Sequence, residues 1–161
     1  MKISLGDRTP ETVAVYFEKA QNPKIKAVLP QKAKTLEEAL ADYRLTLLPT
    51  AASFGRTILA DGLYVGDVWC YGIDLSEEPN AMVSFCIFEE SLWSKGIGTK
   101  ALALFLAEIR ERYSFSTVGA FVYAENAASV RVLMKNGFTL REEFIEDGRA
   151  SKYLQREFIK E

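Results

Sequence analysis

Apolar residues recur at helical spacing in four segments of the chain, each bounded by residues that favour helix ends. Pro10 opens the first segment, and Thr35 with Glu38 three residues later forms a capping box in the second. Asn126 and Gly137 are a typical N-cap and C′ residue of the fourth. The predicted helices cover residues 10–22, residues 35–48, the segment with Leu102, Phe105, Leu106 and Ile109, and residues 126–138.

Elsewhere the apolar pattern changes to short runs rich in β-branched and aromatic residues, which predict β-strands. The turn sequences DG and SEEPN separate the first three runs, and a second DG separates the last two, so these neighbours are expected to be antiparallel. The predicted strands cover residues 54–60, 63–75, 81–90, 117–124, 139–145 and 151–158. The order α-α-β-β-β-α-β-α-β-β predicts an α/β (α+β) fold on one mixed sheet, and the length favours a single domain over residues 1–161.

Composition narrows the class of protein. The chain has no histidine, which excludes Ser-His-Asp and Cys-His catalysis and most zinc sites. A net charge of −2 does not favour a nucleic-acid partner. The sequence shows no signal-peptide core and no run of about 18 apolar residues, so we predict a cytoplasmic protein that does not span a membrane. Cys70 and Cys86 lie in apolar runs and are expected to be buried thiols.

The segment SLWSKGIGTKALALFLAEI places Gly96 and Gly98, flanked by Lys95 and Lys100, directly before the third helix. Free N–H groups at a helix start favour an anion, and glycine lets that anion approach the backbone closely. The G-x-G-x-x-A pattern also matches a relaxed dinucleotide fingerprint, but the strand does not run directly into the first glycine, because EESLWSK precedes it, and too few βα units follow. The segment does not match a P-loop, because the first glycine of that motif is absent. For this segment alone, a plain strand-to-helix loop stays an alternative.

A second segment makes the pattern more specific. Together, FCIFEESLWSKGIGTKAL and NAASVRVLMKNGF resemble the GNAT superfamily of acyl-CoA-dependent N-acetyltransferases, and within it the branch of ribosomal-protein N-terminal acetyltransferases. Trp93 stands where other members carry Gln or Arg, as in that branch, and EDGRASKYLQREF resembles its closing hairpin. The resemblance is clear over residues 54–158 and implies a GNAT fold, with a mostly antiparallel central sheet, helices on both faces and a C-terminal β-hairpin.

The resemblance also implies where acetyl-CoA, the acyl donor, binds; it implies no metal. The strand 81–88 would separate from the strand 117–124 at a bulge, and the pantetheine arm would pair with backbone in the gap. The pyrophosphate would rest on the glycine turn. The implied coenzyme-binding residues are Cys86, Ile87, Phe88, Trp93, Ser94, Lys95, Gly96, Ile97, Gly98, Thr99, Lys100, Asn126 and Ser129.

The implied reaction is direct attack of a primary amine on the thioester, with a strand-end N–H polarising the carbonyl. The resemblance makes Ser129 the proton donor to the leaving thiolate and gives Asn126 the role of holding the coenzyme or a water; by residue type alone, Asn126 is a helix cap and Ser129 a small packed residue. Many members carry a glutamate as base where this chain has Met82. The acidic residues Asp74, Glu77 and Glu78 nearby are expected to form a solvated turn, and the two tryptophans, at 69 and 93, to be buried.

Without histidine or an evident base, an easily deprotonated amine fits best. An α-amino group has a pKa of about 7.7–8.0, against about 10.4 for lysine, which favours a protein N-terminus as the acceptor. The alternatives are an acetyltransferase of a small-molecule amine such as an antibiotic or polyamine, a CoA-binding module without catalysis, and, more weakly, an NAD-dependent oxidoreductase. The terminal hairpin could also pair across a homodimer.

Overall fold

The computed structural model describes residues 1–158 of the chain. The strands are β1 (Ile3–Gly6), β2 (Phe54–Ala60), β3 (Leu63–Asp74), β4 (Asn80–Ile87), β5 (Thr117–Tyr123), β6 (Thr139–Glu146) and β7 (Arg149–Glu157). The helices are α1 (Pro10–Lys19), α2 (Pro23–Val28), α3 (Leu36–Leu45), α4 (Ile97–Tyr113) and α5 (Ala127–Lys135), with a 3₁₀ turn at Glu90–Leu92. The predicted single domain over residues 1–161 stays a prediction, and its last three residues, 159–161, lie outside the described residues.

One sheet contains all seven of these strands, in the order β1-β2-β3-β4-β5-β7-β6. The neighbours pair antiparallel except β4 and β5, which are parallel and are connected through α4. This topology confirms the predicted mixed, mostly antiparallel sheet and the C-terminal hairpin. The parallel pair of β4 and β5 lies at the centre of the sheet.

Two short elements, β1 and α2, were not predicted. β1 has four residues, too few for a periodic pattern, and it forms by pairing with the edge of β2. α2 has six residues and lies in the segment between the first two predicted helices. Asn22 caps it by accepting a hydrogen bond from the N–H of Lys24 at 2.9 Å, and Pro23 is its first residue. The strand predicted for residues 81–90 ends at Ile87, because the 3₁₀ turn follows it.

The core lies mainly between α4 and one face of the sheet. α4 buries its apolar stripe, including Leu102, Phe105 and Ile109, against sheet residues such as Val68 and Val118. Burying a side chain of this size contributes about 1.5–3 kcal/mol, which makes this face the main source of stability.

The opposite face of the sheet carries a smaller core under α1 and α2. There Tyr16 and Ile25 pack with Trp69, with Cys86 of β4 and with Phe88, which directly follows β4. The prediction that helices cover both faces is therefore confirmed.

A buried polar group lies close to this smaller core. Asp67 of β3 is only 3% exposed and accepts hydrogen bonds from the Tyr64 hydroxyl at 2.5 Å and from Nε of Arg8 at 3.0 Å. Burial raises the pKa of the Asp67 carboxyl, and the two donors oppose that shift because they stabilise the charged form. The contacts tie the segment between β1 and α1 to the centre of the sheet. Within residues 1–158 no helix is long and apolar enough to cross a membrane.

Candidate active site

The centre of the sheet opens where β4 and β5 separate. They pair only at Asn80↔Thr117, Ala81↔Val118 and Met82↔Gly119, although both strands continue beyond these residues. β5 instead stays with β7 along its whole length, while β4 stays with β3. The predicted separation is therefore present. The β3–β4 register runs without a shift from Tyr71↔Met82 to Gly66↔Ile87, but it shifts between Tyr71 and Asp74, beside the residues of β4 that pair with β5. A bulge or irregularity is therefore present next to the point of separation, with the extra residue in β3.

The hydrogen bonds of β4 show which backbone groups face the gap. The N–H of Phe88 donates to the carbonyl of Val65 in β3 at 3.0 Å. Because backbone groups alternate in direction along a strand, those of Cys86 also face β3, and those of Ile87 and Phe85 face the gap. The Ile87 carbonyl indeed accepts a hydrogen bond from the Trp93 indole at 2.7 Å. Of the three residues predicted to pair with a pantetheine arm, only Ile87 presents its backbone there, and Phe85 was missed.

One end of the gap meets the turn before α4. Gly96 has a φ of 81°, in the left-handed region that favours glycine, and Ser94 has a φ of 61°. The first helical hydrogen bond runs from Lys100 to the Gly96 carbonyl at 3.2 Å. The N–H groups of the three residues between them, residues 97–99, therefore have no partner inside the helix and are available to an anion.

The second glycine of the turn differs from the first in its backbone conformation, because its φ is not positive. A Cβ added to Gly98 would lie 3.4 Å from the Phe85 ring and 3.6 Å from Val132, which are ordinary contact distances. Of the two glycines, Gly96 is therefore the one whose backbone conformation requires glycine, and a methyl group at position 98 would fit. The sequence pattern alone did not separate the two.

Three contacts hold the turn in place. Ile97 is 2% exposed and packs in the main core. The buried Asn136 donates through Nδ2 to the Thr99 carbonyl at 3.2 Å and to Val132 of α5 at 3.0 Å. Trp93 contributes its hydrogen bond to β4, but its side chain is 38% exposed, so the prediction that Trp93 is buried is wrong. The turn is therefore fixed to α5 and to β4 before any ligand arrives.

The gap and the turn form one cleft of about 560 Å³. The predicted residues that line it are Cys86, Ile87, Trp93, Ser94, Lys95, Gly96, Ile97, Gly98, Thr99, Asn126 and Ser129. Phe88 and Lys100 do not line it: Phe88 is buried beside Tyr16 and Tyr64 on the opposite face, and Lys100 is exposed on α4.

Sequence reasoning missed several residues of the cleft wall. These are mainly Lys24, Ser84, Phe85, Phe121, Glu125, Arg131 and Lys135. The spacing of Arg131 and Lys135, four apart on α5, was the available signal for two of them, since it places both on one helix face. Phe121 gave no signal, because the strand TVGAFVY is apolar throughout.

The charges of the cleft favour an anionic ligand. Four cations line it, namely Lys24, Lys95, Arg131 and Lys135, and of these Lys24 pairs with Glu90 at 3.2 Å. Among the described lining residues the carboxylate is Glu125, and it pairs with Arg149. Lysine and arginine side chains beside free N–H groups at a helix start are a typical setting for phosphate groups.

Asn126 and Ser129 meet at the start of α5. The side-chain oxygen of Asn126 accepts a hydrogen bond from the backbone N–H of Ser129 at 3.3 Å, so Asn126 is the helix cap. Both residues line the cleft. The Ser129 hydroxyl has no hydrogen bond to another residue of the described chain, which leaves it available to a ligand. Their catalytic roles stay predictions.

The cleft supplies no evident strong base from the described residues. Met82 is half-buried and is the last residue of β4 that pairs with β5. Glu77 and Glu78 are exposed in the turn before β4, as expected. Asp74 is exposed as well, and hydrogen bonds from Ser76 lower the pKa of its carboxyl. Burial raises the pKa of the Cys86 thiol to about 12, so this thiol is not a nucleophile at neutral pH.

Comparison with known proteins adds a family and a set of similar structures. A family model described as an acetyltransferase (GNAT) domain matches residues 5–139. No curated protein sequence matches the chain.

Solved structures match almost the whole chain at low identity. Spermidine N-acetyltransferase from Vibrio cholerae, in complex with CoA and spermine, has a TM-score of 0.84 at 14% identity over 95% of this chain and 94% of its own. RimL, a ribosomal L7/L12 alpha-N-protein acetyltransferase in complex with CoA, has a TM-score of 0.81 at 17% identity over 98% and 94%. Aminoglycoside acetyltransferase AAC(6')-Ib with coenzyme A has a TM-score of 0.80 at 16% identity over 97% and 95%.

Proposed function

The chain belongs to the GNAT acetyltransferase family, and we propose that it transfers an acetyl group from acetyl-CoA to a protein N-terminal α-amino group. The family match confirms the resemblance, the enzyme class and the acyl donor predicted from the sequence. One observation carries the proposal: β4 and β5 separate to form a cleft that ends at free N–H groups and cations. The acceptor and the residue roles below are part of the proposal.

The donor end of the cleft comprises the turn 93–99 together with Lys24, Arg131 and Lys135. There the N–H groups of residues 97–99 would hold the pyrophosphate, and the cations would neutralise phosphate charge. Phe85 and Ile87 would pair with the amides of the pantetheine arm, since their backbone groups face the gap. The same arm would pass the start of α5, where Ser129 lies.

The residues of the cleft support direct transfer. A neutral amine attacks the acetyl carbon, its nitrogen–carbon bond forms, and the carbon–sulfur bond breaks. Ser129 would give its proton to the leaving sulfur, and Asn126 would keep Ser129 in position by capping the helix. The amine proton would leave through water, because the carboxylate that lines the cleft, Glu125, is paired with Arg149. A proton from the same water would restore the Ser129 hydroxyl, so the protons balance.

This lack of a strong base supports an α-amino acceptor. At pH 7.5 a group with a pKa of about 7.7–8.0 is partly neutral, whereas a lysine amine with a pKa of about 10.4 is almost fully charged. RimL is described as an α-N-protein acetyltransferase, and it is one of the structures with this fold. Polyamine and aminoglycoside acetyltransferases also share the fold, so a small-molecule amine is the alternative.

A panel of acceptors with acetyl-CoA, read by mass spectrometry, tests the proposal. We expect short peptides with free N-termini to be acetylated at the α-amino group, and the same peptides with blocked N-termini to be inert. Faster acetylation of free lysine, polyamines or aminoglycosides would contradict the acceptor. CoA binding without turnover on any acceptor would instead support a non-catalytic module.

A homodimer and a cytoplasmic location stay predictions. β6 is at the edge of the sheet, so its outer side is free to pair with a second copy of the hairpin. Sedimentation of the purified chain over a range of concentrations would detect such a dimer.

A further inference from the structure

An aromatic platform, formed by Phe121, Phe144 and Tyr153, lies on the sheet beside the cleft. The ring centroids of Phe121 and Tyr153 are 4.9 Å apart, and those of Phe121 and Phe144 are 6.1 Å apart with the rings nearly perpendicular. Phe121 also lines the cleft, yet its side chain is 52% exposed. A phenylalanine so exposed in the wall of an active site is unusual, because apolar side chains of that size are mostly buried.

The platform is on the opposite face of the sheet from α4, whose first turn belongs to the donor end. Along β5, Val118 and Ala120 are buried in the core beneath α4, and the alternate residue Phe121 points to the other face. Tyr153 is the register partner of Phe121 in β7 and shares that face. If the turn before α4 holds the phosphates, as in the proposed function, a thioester in the gap would have α4 on one side and the platform on the other. That other side would then be left for the acceptor.

Neighbouring residues fix the position of the rings. A Cβ added to Gly119 would lie 2.6 Å from the Tyr153 hydroxyl, so only glycine lets this ring lie flat on β5. Gln155 donates to the same hydroxyl at 3.2 Å. A surface held in this way is preorganised for binding, because its side chains lose little further freedom when a ligand packs on them.

The charges of the cleft beside the platform favour an acceptor with few positive charges. Four cations line the cleft, and the carboxylate among its described lining residues, Glu125, already pairs with Arg149. On the platform's own face, Glu142 is exposed and lies opposite Tyr153 in register, so one carboxylate is beside the rings. The pair formed by Glu143 and Lys152 belongs to the other face, because side chains alternate along a strand. A single amine next to an apolar group would therefore match the rings and one carboxylate better than a polycation would.

We propose that the platform binds a large apolar side chain on the first residue of the acceptor peptide. This inference rests on the proposed function and names the substrate class within it. Aromatic contacts of this kind contribute about 0.5–1.5 kcal/mol beyond the area that they bury. The side chain would enter from the edge of the gap and leave the α-amino group directed at the thioester.

The test compares peptides that differ only in their first residue, Leu, Ser or Lys. For the wild-type enzyme we expect kcat/KM to be highest for the Leu peptide. Phe121→Ala should lower kcat/KM for the Leu peptide about tenfold, through KM, and leave the Ser peptide within about twofold. Phe121→Tyr should restore most of the preference. Leu104→Ala, at an exposed position of α4 outside the cleft, is the matched control and should change neither value.

The outcomes separate the two proposals. Equal rates for the three peptides, or a loss in Phe121→Ala that is the same for all of them, would overturn the platform and leave N-terminal acetylation intact. A preference for the Lys peptide would also overturn the platform. If only polyamines or aminoglycosides were acetylated, the proposed function would fail and the platform with it. Affinity for CoA should be unchanged in Phe121→Ala, which shows that the variant is folded.

Discussion

The donor end and the aromatic platform are built from different kinds of groups. The donor end uses mainly backbone N–H groups of one continuous turn, residues 93–99, supported by nearby cations. The platform uses the side chains of Phe121, Phe144 and Tyr153, which come from three strands and meet only because those strands pair. A backbone site requires particular glycines in a particular order, so it leaves a local pattern in the sequence. A side-chain site on paired strands leaves none, and its residues can change without altering the fold.

The largest effect is expected from Gly98→Asp, which attacks the donor end alone. It would place a negative charge beside the N–H groups of residues 97–99 that are proposed to hold the phosphates. Like charges placed together cost several kcal/mol, so CoA affinity should fall at least about 100-fold in calorimetric titration. Ala103→Asp adds the same charge to an exposed position of α4 and is the control. Unchanged affinity in Gly98→Asp would mean that the turn is not the phosphate site.

Asp67→Asn tests the other side of the sheet. The amide would keep an oxygen for Tyr64 but would turn an N–H donor toward Arg8, which leaves a part-buried cation without its partner. We expect the free energy of unfolding to fall by about 2 kcal/mol in chemical denaturation. The affinity for CoA should stay within twofold, since the donor end does not depend on this contact. Asp42→Asn, exposed on α3, should change neither quantity.

Arg131→Gln should have a smaller effect at the donor end. Removing one of four cations that line the cleft should weaken CoA binding about fivefold, and the loss should shrink at high salt because screening reduces the contribution of the charge. Arg141→Gln, on β6 outside the cleft, is the control. The affinity of the wild-type protein for CoA should depend more strongly on salt than the affinity of Arg131→Gln. If Arg131→Gln and the control Arg141→Gln showed the same salt dependence, Arg131 would not face the phosphates.

Treatment of the two cysteines with a thiol reagent should have the smallest effect on activity. Burial raises the pKa of Cys70 and of Cys86 to about 12, from an ordinary value of 9.0. Both should therefore resist a thiol reagent at pH 8 in the folded protein and react after unfolding, and the treated enzyme should keep its activity. The pKa of each thiol is higher in the folded protein than in the unfolded chain. The buried neutral thiols therefore favour the folded state fully below about pH 9, and this stabilisation is lost as the pH rises toward 12. Rapid modification of Cys86 with loss of activity would contradict its burial.

Individual elements show which parts of the fold and of the cleft could be predicted from the sequence. The caps at Thr35 and Asn126 fixed two helix starts correctly, because a cap needs only residues a few positions apart. The short elements β1 and α2 were missed, since each is too short for a periodic pattern and forms against its neighbours. Phe88 and Lys100 were placed in the cleft because of their position in the motif. The alternation of β4 and the exposed side of α4 put them elsewhere.

The sequence by itself determined the order of most elements, the family and the position of the glycine turn before α4, because periodicity, caps and glycine spacing are local properties. Only the tertiary structure decided which backbone groups face the gap, which cations converge on it and where the aromatic platform stands. Those properties depend on how β5 leaves β4 to follow β7, and strand pairing between distant segments is set by the packing of the whole sheet.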